Sequence, residues 1–120
     1  MKCHEIKIME RRFPTGELES RWREIDSRKN GLHQRWHRNG QLFTEAEYRD
    51  DLENGLLRQW SEKGVLILSA ALKDGEFNGP YVTWWDSGSL KEEGCFDMGK
   101  RSGRYVWYKQ DGSIWKEEGS

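Results

Sequence analysis

His33 and His37 lie four residues apart with Arg35 between them, so on an extended strand all three side chains would share one face. Two imidazoles at that spacing could serve as an acid/base couple or as half of a zinc set. A catalytic zinc needs three protein ligands and a structural one four, and neither flanking stretch offers a His or Cys in phase to complete either set. A solvated strand face is the expectation there. Carboxylates occur as two adjacent pairs, Glu92-Glu93 and Glu117-Glu118, the right residue type for general acid and base. Consecutive strand residues point to opposite faces, so neither pair converges on one substrate, and both read as solubilising charge. Cys3 and Cys95 match no metal spacing, and a disulfide framework is not expected from them. The chain is therefore read as a non-enzyme, with no catalytic residue, no metal and no cofactor.

What the sequence holds in quantity is aromatic surface, with 7 Trp, 4 Tyr and 4 Phe. Trp36, Trp60, Trp84 and Tyr108 recur at a fixed interval and are expected to form one row across a sheet, stacked as core. A second set has the opposite strand parity: Tyr81 and Trp85, then Tyr105 and Trp107, with Trp115 beyond. If the periodic row faces a core, this late cluster faces outward and has the composition of a protein-binding hot spot. The alternative is a single curved sheet that buries part of both faces and covers the cluster. On the outward reading, Tyr81, Trp85, Tyr105, Trp107 and Trp115 supply affinity to a protein partner, and Arg35 and Lys109 set its orientation.

The elements that must position these residues follow from a 24-residue repeat. One glycine register runs Gly16, Gly40, Gly64, Gly88, Gly112; a second runs Gly31, Gly55, Gly79, Gly103; Gly75 and Gly99 form a third. Leu18, Leu42, Leu66, Leu90 and Ile114 each follow the first register by two residues. After each comes an alternating run, such as Leu42-Thr44-Ala46-Tyr48, with a small residue (Ala46, Ala70, Gly94) that leaves room for a ring on a neighbouring strand. The periodic Trp is the expected occupant. Asn39-Gly40 and Asp111-Gly112 between alternating runs are hairpin signals. The stretches Asp26–Gly31, Asp50–Gly55, Asp74–Gly79 and Asp97–Gly103 read as turns of six or seven residues. No stretch carries helical periodicity with caps. The fold class expected is all-β: an elongated, twisted antiparallel β-meander of about ten strands, on the order of 40–45 Å long. Residues 1–120 form a single repeat domain, with 1–13 as an N-terminal cap strand and 14–119 as hairpin repeats.

Charge narrows the partners. The chain has 20 basic and 21 acidic residues for a net charge of −1, which disfavours nucleic acid, whose binding calls for a basic stripe. The same balance predicts little binding to an anionic membrane surface. The stretch Met1–Arg12 has no apolar run of signal-peptide length, and a cytoplasmic location is expected. Charged ends, Lys7–Arg12 and Lys116–Glu118, blunt the sheet edges, so the unbound chain is expected to be a monomer.

Gly88-Ser89-Leu90-Lys91-Glu92-Glu93-Gly94-Cys95-Phe96, followed by Gly99 and by Gly103-Arg104-Tyr105-Val106-Trp107-Tyr108, resembles the MORN repeat. More closely it is similar to the MORN-variant repeat of bacterial antitoxin-like and immunity-like proteins. The resemblance spans residues 13–119, departing where Ser27 and Asp51 replace an inner turn glycine. It implies a protein that binds and neutralises a cognate toxin domain. Phospholipid binding at a membrane surface, or a scaffold role, is the alternative that the MORN resemblance leaves open.

Overall fold

The computed structural model describes residues 3–119; Met1 and Lys2 of the expected cap strand, and Ser120, lie outside them. Eleven strands follow one another: β1 (Ile6–Arg12), β2 (Leu18–Ile25), β3 (Arg28–Lys29), β4 (Gly31–Trp36), β5 (Leu42–Arg49), β6 (Leu52–Trp60), β7 (Leu66–Lys73), β8 (Glu76–Trp84), β9 (Leu90–Asp97), β10 (Lys100–Tyr108) and β11 (Ile114–Glu118). Each pairs antiparallel with the next along a single open sheet, with the short β3 attached to β2. No helix occurs among the described residues. The molecule measures 53 × 38 × 16 Å, with a radius of gyration of 17.0 Å. A compact domain of this length would have about 13–14 Å. The all-β meander read from the repeat is what the chain adopts, as one twisted layer.

Two hairpin types alternate. At 14–16, 38–40, 62–64, 86–88 and 110–112 the loop has three residues. His37 and Gly40 illustrate it: the His37 N–H donates to the Gln41 carbonyl (2.8 Å) and the Gly40 N–H to the His37 carbonyl (3.0 Å). Gly40 closes the loop at φ 89°, the left-handed residue such a loop needs. The other ends correct the expected long turns. Asp26-Ser27, Asp50-Asp51, Asp74-Gly75 and Met98-Gly99 are two-residue turns whose non-glycine members all have positive φ, from 46° to 72°. That geometry matches the right-handed strand twist. The following strand then runs through Gly55, Gly79 or Gly103, and the pairing register slips beside them. Those glycines mark bulges, which by composition look like turn residues.

Ser27 and Asp51 therefore adopt the same left-handed shape that Gly75 and Gly99 adopt freely, at a cost of about 1 kcal/mol each. Asp51 recovers part of it, because its carboxylate accepts the Lys29 N–H at 2.8 Å. For Ser27→Gly we expect a stability gain of about 0.5–1 kcal/mol, read as a higher urea midpoint with unchanged slope.

Neighbouring repeats are tied together at the turns. The Asn30 side-chain oxygen accepts the Asp50 N–H (3.0 Å), Asn54 donates to the Asp74 carboxylate (3.1 Å), and the Asn78 oxygen accepts the Met98 N–H (3.1 Å). Each asparagine precedes a bulge glycine, so the repeat that bends the strand also satisfies the next turn's polar groups.

Residues directly opposite in an antiparallel pair share a face. The pairs Arg35↔Thr44, Thr44↔Gln59, Leu68↔Thr83, Thr83↔Glu92 and Glu92↔Trp107 trace one face, which also holds Trp22, His33, Tyr81 and Tyr105. The opposite face holds Gln34↔Glu45↔Arg58↔Ser69↔Val82↔Glu93↔Val106 and, by parity, Trp36, Trp60, Trp84 and Tyr108. This corrects the expectation that the periodic row is core. Those four rings are only half-buried. Arg58 lies over the Trp60 ring at 5.9 Å, and the Tyr108 hydroxyl donates to Glu93. The buried apolar residues are Trp22, Ala46, Ala70, Tyr105 and Val106, and all but Val106 belong to the first face.

Candidate protein-interaction face

The small residues Ala46, Ala70 and Gly94 stand opposite His33, Leu57 and Tyr81, one period apart. The occupant of the space at Gly94 is Tyr105, not a periodic Trp: a Cβ on Gly94 would lie 2.8 Å from Tyr105 Cε2 and 2.9 Å from its Cγ. Tyr105 is only 4% exposed although no second layer covers the sheet. Around it stand Phe96 (6.2 Å between centroids), Tyr81 (6.5 Å) and Trp107 (4.5 Å). Phe77 extends the cluster, 5.2 Å from Tyr81 and 5.3 Å from Phe96. Edge-on and tilted contacts of this kind add to the area each ring buries.

The cluster has a polar clasp. The Tyr105 hydroxyl donates to one Glu92 oxygen (2.9 Å) and the Thr83 hydroxyl to the other (2.9 Å). Burial and the Glu92 carboxylate together push the Tyr105 phenol far above its ordinary value. Tyr81 is raised in the same direction, chiefly by burial and then by Glu92. Arg101 lies over both Tyr105 and Trp107 at 5.4 Å, and Lys116 over Trp107 at 5.1 Å.

The sequence-derived contact residues divide on this face. Tyr81, Tyr105 and Trp107 come together, with Tyr105 as the covered floor and its neighbours half-buried. Trp85 opens the 86–88 loop under Lys91, whose ammonium sits 4.7 Å above its ring. Its indole N–H is buried without an acceptor among the described residues. Trp115, at 66% exposure, and Lys109 stand at the far edge, outside the cluster. Phe77 and Phe96 join the cluster beyond the residues the sequence singles out, Phe77 from a stretch of turn composition. Arg35 lies at the other end of the sheet, in a second cluster.

That second cluster is built on Trp22, His33 and Tyr48, with His33 5.1 Å from Trp22 and 5.6 Å from Tyr48. Lys29 sits 5.2 Å above both Trp22 and Tyr48, and Arg11 lies 5.6 Å from the Trp22 ring. The Trp22 indole donates to Glu24 at 2.9 Å. Burial, reinforced by Lys29, Arg35 and Arg11, lowers the His33 pKa from 6.5 to about 4. The folded state thus holds His33 neutral while the unfolded chain protonates it below about 6.5. Its contribution to stability is complete above pH 6.5 and is lost as the pH falls toward 4. Allowing for its partial exposure, the loss is about 1 kcal/mol. Urea midpoints across that window should fall for the wild type and flatten for His33→Gln.

His37 takes no part: its Nε2 donates to the Trp60 carbonyl at 2.8 Å, and its ring stacks on Phe43. Among the described residues, no group of three or more His, Cys, Asp or Glu is arranged to hold a metal ion. No helix is long and apolar enough to cross a membrane.

No curated protein and no solved structure matches the chain. Residues 29–50 and 77–98 match the family described as MORN repeat variant, and the two matches begin two repeat periods apart on the same phase of the sheet. Those two segments are thus similar to MORN-variant repeats, modules that generally mediate protein or membrane interactions, and a binding role fits the open aromatic face.

Proposed function

We propose that this chain is a non-catalytic immunity or antitoxin component that docks a cognate bacterial toxin domain and neutralises it in the cytoplasm. One observation supports the reading above others. Phe77, Tyr81, Phe96, Tyr105 and Trp107 form a contiguous aromatic cluster on a sheet face that no second layer covers. Half-buried rings held in place by neighbours lose little freedom on binding, which favours their use as anchors. Trp85 and Trp115 extend the contact, and Arg35 and Lys109 orient the partner.

The edges favour an unbound monomer. A second copy added to β11 in the register of the internal pairs Glu92↔Trp107 and Glu93↔Val106 would set Lys116 opposite Arg11 and Glu117 opposite Glu10. Like charges directly opposite destabilise a strand pair. Light scattering should report the mass of one chain, and a concentration-dependent rise would count against this arrangement.

The functional test is to express the product of the neighbouring open reading frame alone and together with this chain. Growth arrest by the first, relief by the second, and capture of one protein by the other are expected. A neighbour that is harmless alone, or whose toxicity this chain leaves unchanged, would end the proposal.

A further inference from the structure

Charged residues are handled differently in the two halves of the aromatic face. In the late half, Arg101 and Lys116 both bond Glu118, at 3.2 and 3.0 Å. In the early half, Arg11, Lys29 and Arg35 have no carboxylate within 4.0 Å among the described residues. Yet all three line one concavity of about 280 Å³, whose floor is Ser20, Trp22 and His33. Trp22 and Ser20 are 9% and 4% exposed, so the floor is fixed. The Trp22 ring carries Arg11 and Lys29, and Arg35 stands between Ser20 and Thr44 on the paired strands. Glu19 also lines this space. With Glu19 as the one carboxylate lining the space, three cations leave the concavity net positive, which favours an anion from outside. His33, held neutral there, adds no fourth charge but leaves a ring nitrogen for hydrogen bonding.

We infer that the early half of the aromatic face is a carboxylate-recognition site, in which Arg11, Lys29 and Arg35 engage an acidic segment of the protein partner while Trp22 and Tyr48 pack against its apolar stems. This rests on the protein-binding reading above and names the chemistry the partner presents. Charge complementarity selects the acidic segment, and shape selects a chain over a bilayer, because a flat lipid surface does not enter a concavity bounded by neighbouring strands. Arginine forks also suit carboxylate pairs geometrically.

The probes are an acetylated, amidated peptide alternating Asp and Glu with Leu, its Asn/Gln counterpart, inorganic phosphate, and phosphatidylserine-containing vesicles. The acidic peptide is expected to shift the Trp22 indole resonance, to weaken with added salt, and to lose about tenfold in affinity for Arg35→Gln. Arg11→Gln, on the edge strand β1, should give a loss of the same order and guards against a folding effect at position 35. Equal binding of the Asn/Gln peptide, a shift at Trp107 in place of Trp22, or binding of phosphate or vesicles without the acidic peptide would each overturn the inference. With the toxic neighbour as ligand, capture unaffected by Arg11→Gln and Arg35→Gln but lost in Trp107→Ala would overturn this site alone. Failure of any capture, with acidic-peptide binding intact, would overturn the toxin reading alone.

Discussion

Tyr105→Ala is expected to cost about 3–5 kcal/mol, the range for deleting a buried aromatic side chain. The ring is 4% exposed, rests on Gly94, and touches Tyr81, Phe96 and Trp107, so its removal strips contacts from every member of the cluster. It also leaves one Glu92 oxygen without its phenol donor. With total stabilities of about 5–15 kcal/mol for ordinary domains, a single layer with five buried apolar residues has little to spare. Tyr105→Phe separates the two contributions: it keeps the ring and removes the hydrogen bond, for an expected loss of about 1 kcal/mol. Urea unfolding followed by Trp fluorescence measures both. An alanine variant within about 1 kcal/mol of the wild type would mean that the ring is not the floor of the face.

Gly94→Val should destabilise by about 3 kcal/mol for the complementary reason. The backbone at Gly94 lies outside the left-handed region, so a side chain meets no conformational strain. The obstacle is the Tyr105 ring, clasped by Glu92 and unable to swing aside without exposing the cluster. In a Tyr105→Ala background the same substitution should cost less than about 1 kcal/mol, since valine suits a strand and fills part of the space left by the ring. Additive effects in that double-mutant cycle would show that the two positions do not share one volume.

These two positions also show how far the chain could be read in advance. Ala46, Ala70 and Gly94 announce that a large group must lie above each, because only a facing side chain makes a small residue useful there. At Gly94 that group is Tyr105 and not a periodic Trp. Trp36, Trp60 and Trp84 have the more conspicuous period, but His33, Leu57, Tyr81 and Tyr105 stand beside the small positions in the pairing register. Register depends on turn length, and composition makes the turns look longer than they are, since a bulge glycine such as Gly79 and a turn glycine such as Gly75 look alike. Turn composition also puts Lys29 and Phe77 in apparent loops and so hides a member of each cluster. Arg35 is legible from its strand face, whereas nothing local marks Arg11 as a neighbour of Trp22.

The 24-residue spacing of glycine, leucine and aromatic residues was enough by itself to specify strands, hairpins and the set of side chains that travel together on each face, because strand alternation and turn stereochemistry are local properties. Which face became the covered one was decided only in three dimensions. With no second layer to bury either side, coverage depends on how rings from successive strands lean over the small residues between them. That is a matter of twist, bulges and pairing register, which no single stretch of the chain contains.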